Sequence, residues 1–191
     1  MAKKIIPAVL VLICFIPLSV YAGLPMDTVK AGVDKVASVA ADKSLELPVK
    51  KEKIRMLVGE FFDFSVLSRL TLGRFWKQFK PEQQKEFVKL YRTLLENVYM
   101  DRILEYNNEK IVFEKEIMYS DKKAEVESNI VTSTKQIPIN YRMVIRGKEW
   151  KVYDVVIEGI SLVSNYRSQF NEILAKQSPD ELLETLRKRI S

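Results

Sequence analysis

The sequence predicts an α+β fold: helices packed on a four-stranded antiparallel sheet. Three observations predict it. Up to about residue 106, apolar residues recur at three- and four-residue steps, the signature of one buried helix face. Between residues 110 and 162 lie four runs rich in β-branched and aromatic residues, separated by breaks of two or three residues. Helical spacing then returns and continues almost to the end of the chain.

Met26, Val29, Val33, Val36 and Ala40 form the first helical stripe, which ends before Leu47-Pro48. Ile54, Leu57, Val58, Phe61 and Phe62 form the second. Asp63 is placed to cap a third helix holding Leu67, Leu70 and Phe75, because its side chain can accept a first-turn N–H. Pro81 opens the fourth, a position that suits its fixed φ. From Pro81 to about Tyr106 that helix would run roughly 39 Å at 1.5 Å per residue, enough to cover a whole sheet. Its stripe is Phe87, Leu90, Tyr91, Leu94, Leu95, Val98 and Leu104.

The strands are read as Lys110–Tyr119, Lys123–Thr132, Gln136–Arg146 and Glu149–Leu162. Their short connections imply antiparallel neighbours in a meander. Ala124, Val126, Ser128 and Ile130 alternate with Glu125, Glu127 and Asn129, so one face is wet. On the next strand Ile137, Ile139, Tyr141, Met143 and Ile145 share a face. The last strand is expected to be covered on both sides, with Trp150, Val152 and Val156 facing one way and Tyr153, Val155 and Ile157 the other. Two helices follow: Ser164–Ala175 with Tyr166, Phe170 and Ile173, then one from Ser178-Pro179 with Leu182, Leu183 and Leu186.

The first residues read as a targeting segment. A basic start, Lys3-Lys4, precedes an apolar stretch from Ile5 to Val20, and Val20-Tyr21-Ala22 fits a small-residue cleavage site. The expected organisation is a signal peptide over residues 1–22 and a single domain over 23–191. The one cysteine, Cys14, lies inside the apolar stretch behind Ile13, without the small residue that lipidation requires. Removing residues 1–22 removes Lys3 and Lys4, so a formal charge of +6 becomes +4. That balance is compatible with an anionic membrane surface. It is too scattered to indicate nucleic acid, and no nucleic-acid signature is present.

Several chemistries are excluded. The chain has no histidine, which removes Ser-His-Asp and Cys-His machinery and the usual zinc sites. Without a cysteine in the mature chain there is no thiolate catalysis. No glycine-rich phosphate loop occurs. Asp63, Asp154 and Glu158 are the carboxylates flanked by apolar residues. Asp154 reads first as one partner of a structural ion pair or hydrogen bond, with proton transfer as the alternative. The composition points to an exported α+β domain without standard catalytic groups or a cofactor.

Two blocks carry a resemblance. The first runs Phe62-Asp63-Phe64, Ser68-Arg69, Leu72-Gly73-Arg74-Phe75-Trp76, then Pro81-Glu82-Gln83-Gln84 and Phe87. The second runs Tyr141-Arg142, Gly147, Trp150-Lys151-Val152-Tyr153-Asp154-Val155-Val156-Ile157-Glu158-Gly159-Ile160-Ser161-Leu162-Val163, then Asn165 through Phe170. Together they resemble the MlaC / toluene-tolerance (Ttg2-type) family, in order and spacing from about residue 26 to 188. The resemblance implies a periplasmic phospholipid-binding protein, the soluble auxiliary component of an ABC-type lipid transport system. Such proteins carry lipid between an outer-membrane lipoprotein complex and an inner-membrane complex with an MCE-domain protein, and so maintain outer-membrane lipid asymmetry. It implies no enzyme activity and no cofactor, with phospholipid as cargo and its acyl tails in an apolar cavity between sheet and helices. A related branch is associated with hopanoids, so another lipid is the alternative cargo, and a non-catalytic docking adaptor is the alternative of a different class.

Stripe and strand parity select the expected cavity walls. These are Leu67 and Leu70 from the third helix, and Leu94, Leu95, Val98 and Leu104 from the long one. The sheet would contribute Val126, Ile130, Ile139, Tyr141, Met143, Trp150 and Val152. Each has ordinary core as its alternative.

Overall fold

The computed structural model describes residues 24–107 and 109–191. The expected signal peptide and Cys14 lie outside the described residues. Six helices and one sheet follow one another in order: α1 (Pro25–Ala41), α2 (Leu47–Phe61), α3 (Phe64–Leu72), a 3-10 turn (Gly73–Gln78), α4 (Pro81–Leu104), β1 (Lys110–Ser120), β2 (Lys123–Val131), β3 (Gln136–Arg146), β4 (Glu149–Ile157), β5 (Ile160–Ser161), α5 (Leu162–Leu174) and α6 (Pro179–Ile190). None of the described helices is long and apolar enough to cross a membrane.

The helix signals act as expected. Asp63 accepts the Val66 N–H at 2.8 Å and caps α3. Pro25, Pro48, Pro81 and Pro179 stand in first turns, where a missing N–H costs no hydrogen bond. Ser178 and Glu181 form a reciprocal capping box on α6. The third helix is shorter than its stripe suggested. Gly73 has φ +54, which only glycine adopts without strain, and it ends α3 so that Phe75 falls in the 3-10 turn.

The sheet has five strands in the order β1-β2-β3-β4-β5, all antiparallel, rather than the four expected. The run read as one strand from Glu149 to Leu162 is broken. Glu158 (φ +49) and Gly159 (φ +82) make a two-residue hairpin turn, and Ile160-Ser161 folds back on β4. A second correction concerns β4. Asp154 pairs with Arg142, but Val152 pairs with Met143, so β4 carries one extra residue at Tyr153. The bulge reverses parity along the strand. Val155 therefore joins Trp150 and Val152 in one core instead of facing away from them.

Three apolar cores result. The first fills the helical bundle of α3, α4, α5 and α6 around Phe87, Tyr91, Tyr166 and Phe170, whose rings stack edge-on and tilted with centroids 5.2–5.7 Å apart. The second lies between the inner sheet face and α1, around Val29, Val126, Met143, Trp150 and Val152. The third joins the C-terminal parts of α1 and α4 to the middle of α2 at Ala40, Met100 and Ile54. Phe62 and Tyr99 pack against both the first and the second core, and so form the seam between bundle and sheet.

Candidate functional site

The expected wall residues divide between the three cores. Val126, Met143, Trp150 and Val152 are buried together in the second core, with Ile139 and Tyr141 packed against them. Leu67, Leu94 and Leu95 are buried in the first core, with Leu70 at its margin. Leu104 packs on the third. Ile130 is half-buried near the far end of β2. Val98 stands apart and is 45% exposed. It continues the α4 stripe that faces α5 and α6, but beyond Leu95 the buried side of α4 swings to Met100 and Ile103. There the helix leaves the bundle and packs on α1 and α2 instead.

The second core has the simplest cover. Helix α1 lies across the inner face at β1 and β2 through Val29, with Met26 and Val33 beside it. Among the described residues, the hydrogen bond that joins α1 to the sheet is the Met26 N–H to Glu116 Oε2, at 2.8 Å. The rest of that interface is apolar contact, with Lys30 Nζ 5.7 Å from the Phe113 ring centre. Dispersion and water exclusion hold such a layer without directional bonds, so an apolar guest can replace the contacts.

A cleft of about 370 Å³ opens where α1, the end of α2 and the β3–β4 hairpin meet. Phe61 and Trp150 line it, and both also pack in or against the second core. Gly32 lets α1 approach Phe61 closely: a Cβ there would stand 2.8 Å from two ring carbons. Lys35, Lys148, Lys151, Glu60 and Glu149 line the rim. Sequence reasoning missed this cleft, because its residues come from two helices and a hairpin with no common spacing.

The outer face of the sheet holds a charge ladder instead. Asp154 accepts from Arg142 Nη1 (3.1 Å), Ser161 Oγ (2.6 Å) and the Val163 N–H (3.0 Å). Glu125 accepts from Arg142 Nε (3.0 Å), Asn140 (2.9 Å) and Tyr119 (3.2 Å). Burial opposes the charge of Glu125, but the bonds from Asn140 and Arg142 outweigh it and hold its carboxyl below the usual range. These bonds occupy both oxygens of each carboxylate. Burial pushes the Tyr141 phenol up to about 12, so it stays neutral. Among the described residues no cluster of acidic, cysteine or histidine side chains could hold a metal.

Comparison with known proteins places this geometry among relatives. The family model described as "MlaC protein" matches residues 30–188. The intermembrane phospholipid transport system binding protein MlaC of Haemophilus influenzae is 30% identical over 125 residues, which span 63% of this chain and 58% of that protein. The toluene tolerance protein ttg2D of Pseudomonas putida is 24% identical over 131 residues, 68% of this chain and 61% of that protein. The chain thus spans about 60% of the length of the curated relatives it matches. A phospholipid-binding protein of Ralstonia solanacearum, solved in complex with a phospholipid, superposes with a TM-score of 0.78 at 27% identity, covering 86% of this chain and 95% of that one.

Proposed function

This chain belongs to the MlaC family, and on that premise we propose that it carries phospholipid as the soluble component of an intermembrane transport system. It is exported to the periplasm by a cleaved signal peptide over residues 1–22. There it moves lipid between an outer-membrane lipoprotein complex and an inner-membrane complex with an MCE-domain protein, maintaining outer-membrane lipid asymmetry. It is not an enzyme and uses no cofactor; the bound phospholipid is cargo.

The observation that carries the reading is the second core: an apolar layer on the sheet that α1 covers at β1 and β2 with a single hydrogen bond to the sheet among the described residues, and that Phe61, Phe62, Tyr99 and Leu162 close on its other side. The similarity to a phospholipid-bound structure across 95% of that chain supports it. The energetics require such a layer. A diacyl lipid has on the order of 30 tail methylenes, each worth roughly 0.8 kcal/mol on leaving water, so its free passage through an aqueous gap is opposed by something over 20 kcal/mol. A carrier needs an interior about as apolar as the bilayer, which makes transfer close to neutral and leaves delivery possible.

The cleft of about 370 Å³ is near the lower end of sites for drug-sized ligands and cannot take two tails. Loading therefore parts α1 from the sheet. The tails then lie against Val126, Ile139, Tyr141, Met143, Trp150 and Val152, with Ile130 further along the sheet. The helical side is α1, with Met26, Val29 and Val33; of the helical residues expected at the walls, Leu67, Leu70, Leu94 and Leu95 stay in the first core, Leu104 packs on the third and Val98 stands apart. Organic extraction of the purified mature protein should release phospholipid detectable by mass spectrometry, and delipidated protein should reload from liposomes. Protein that neither holds nor takes up lipid, yet binds the membrane complexes, would be a docking adaptor instead.

A further inference from the structure

We propose that the cleft between α1, α2 and the β3–β4 hairpin holds the phosphate of the cargo's headgroup, with Lys35 and Lys148 as its cationic partners; this rests on the carrier reading. Four observations converge there. The cleft's volume of about 370 Å³ suits a headgroup, not a diacyl lipid. Its floor is Phe61 and Trp150, whose other sides pack in the second core, so a headgroup in the cleft sits at the outer end of the layer that would receive the tails. Gly32 lets the Phe61 ring lie directly on the α1 backbone, so this wall is aromatic edge and not polar side chain.

The fourth observation is charge. Lys151 is already engaged, its ammonium donating to the Glu60 carbonyl at 2.7 Å and pairing with Glu149 at 2.7 Å. Lys35 and Lys148 have no hydrogen-bond or ion-pair partner among the described residues, although both line the same cleft. They come from different elements, the middle of α1 and the β3–β4 turn. Two lysines lining one small cleft are a match for a phosphodiester, which lysine binds as a point charge. The Glu60 carboxylate on the same rim opposes them and leaves one net positive charge, enough for one monoanionic headgroup.

The same chemistry would accept free phosphate, so the test has two arms. In the first, delipidated mature protein is incubated with non-ionic detergent micelles containing equal amounts of phosphatidylglycerol and a diacylglycerol with the same acyl chains. Re-isolated protein is then analysed by mass spectrometry. The tails cancel, and only the phosphoglycerol headgroup differs. Wild-type protein should take up the phospholipid in preference by on the order of fivefold, the factor one lysine contributes near an anionic lipid. The double variant Lys35→Gln/Lys148→Gln should lose that preference and take up the two lipids in equal amounts, while unfolding at the same temperature. Equal uptake by wild type, or a preference that survives both substitutions, overturns the site and leaves the carrier reading intact. No uptake of either lipid defeats the carrier reading itself, and the site with it. In the second arm, calorimetric titration with inorganic phosphate should be flat. Saturable binding that the double variant loses would overturn the lipid headgroup as the source.

Discussion

Asp154 collects three donors from three places: a neighbouring strand, the β5 hairpin and the first turn of α5. It thus ties the sheet to the helical bundle as well as pairing with Arg142. Asp154→Asn keeps the shape but removes the charge that Arg142, Ser161 and the Val163 N–H share, while Arg142 keeps Glu125, and should cost about 1–3 kcal/mol, the usual loss of hydrogen bonds to a charged group. Urea unfolding measures it, and a loss below about 1 kcal/mol would contradict the role. Glu125 gives a pH signature. Its folded pKa is depressed, so its contribution is fully present above the unfolded value near 4.5 and is lost as pH falls through the lower folded value. Stability should therefore be flat with respect to this group above about pH 5.5 and decline below about pH 4.5, and Glu125→Gln should flatten that part of the acid limb. Glu158 is a third case. It holds φ +49 in a turn that favours Asn-Gly, and its ion pair with Lys135 is exposed. Glu158→Asn should stabilise by roughly 0.5–1 kcal/mol, visible as a raised melting temperature, because asparagine tolerates that backbone.

At the level of elements, α1 is the one on which the proposed loading depends. No cysteine follows Cys14, so in protein expressed from residue 23 thiols can be placed at will. Met26→Cys with Glu116→Cys, joined by a short thiol crosslinker, should fix α1 to β1 where its hydrogen bond now lies. The crosslinked protein should fold and melt normally yet fail to take up fluorescent phospholipid from vesicles, whereas the same double variant without crosslinker should load. Loading by crosslinked protein would show that the tails enter elsewhere. The elements themselves were legible from periodicity and caps: Asp63, Pro81 and Ser178 mark helix starts because their chemistry is local. The β4 bulge and the β5 hairpin were not, because pairing register is decided by the neighbouring strand and not by the residues of β4. Val98 was misleading for a related reason: a helix stripe does not announce where its packing partner ends. The cleft left no periodic trace, since Gly32, Phe61 and Lys148 meet only in three dimensions.

For the whole molecule, the division into a helical core and a sheet-side core is the feature that suits a carrier. The proposed loading leaves the ring-filled bundle around Tyr91 and Phe170 packed while the layer under α1 opens, and the Val163 N–H bond to Asp154 joins bundle and sheet. The resemblance read from two motif blocks reached the family; which core would take the tails needed the contacts. Carriage is tested most directly by transfer between two populations of vesicles, donor vesicles with a labelled phospholipid and acceptors without it, incubated with the mature protein and then separated. Label should appear in the acceptors at a rate that rises in proportion to protein concentration, with labelled lipid bound to the protein at intermediate times. Transfer no faster than in the absence of protein, with no label on the protein, would contradict it.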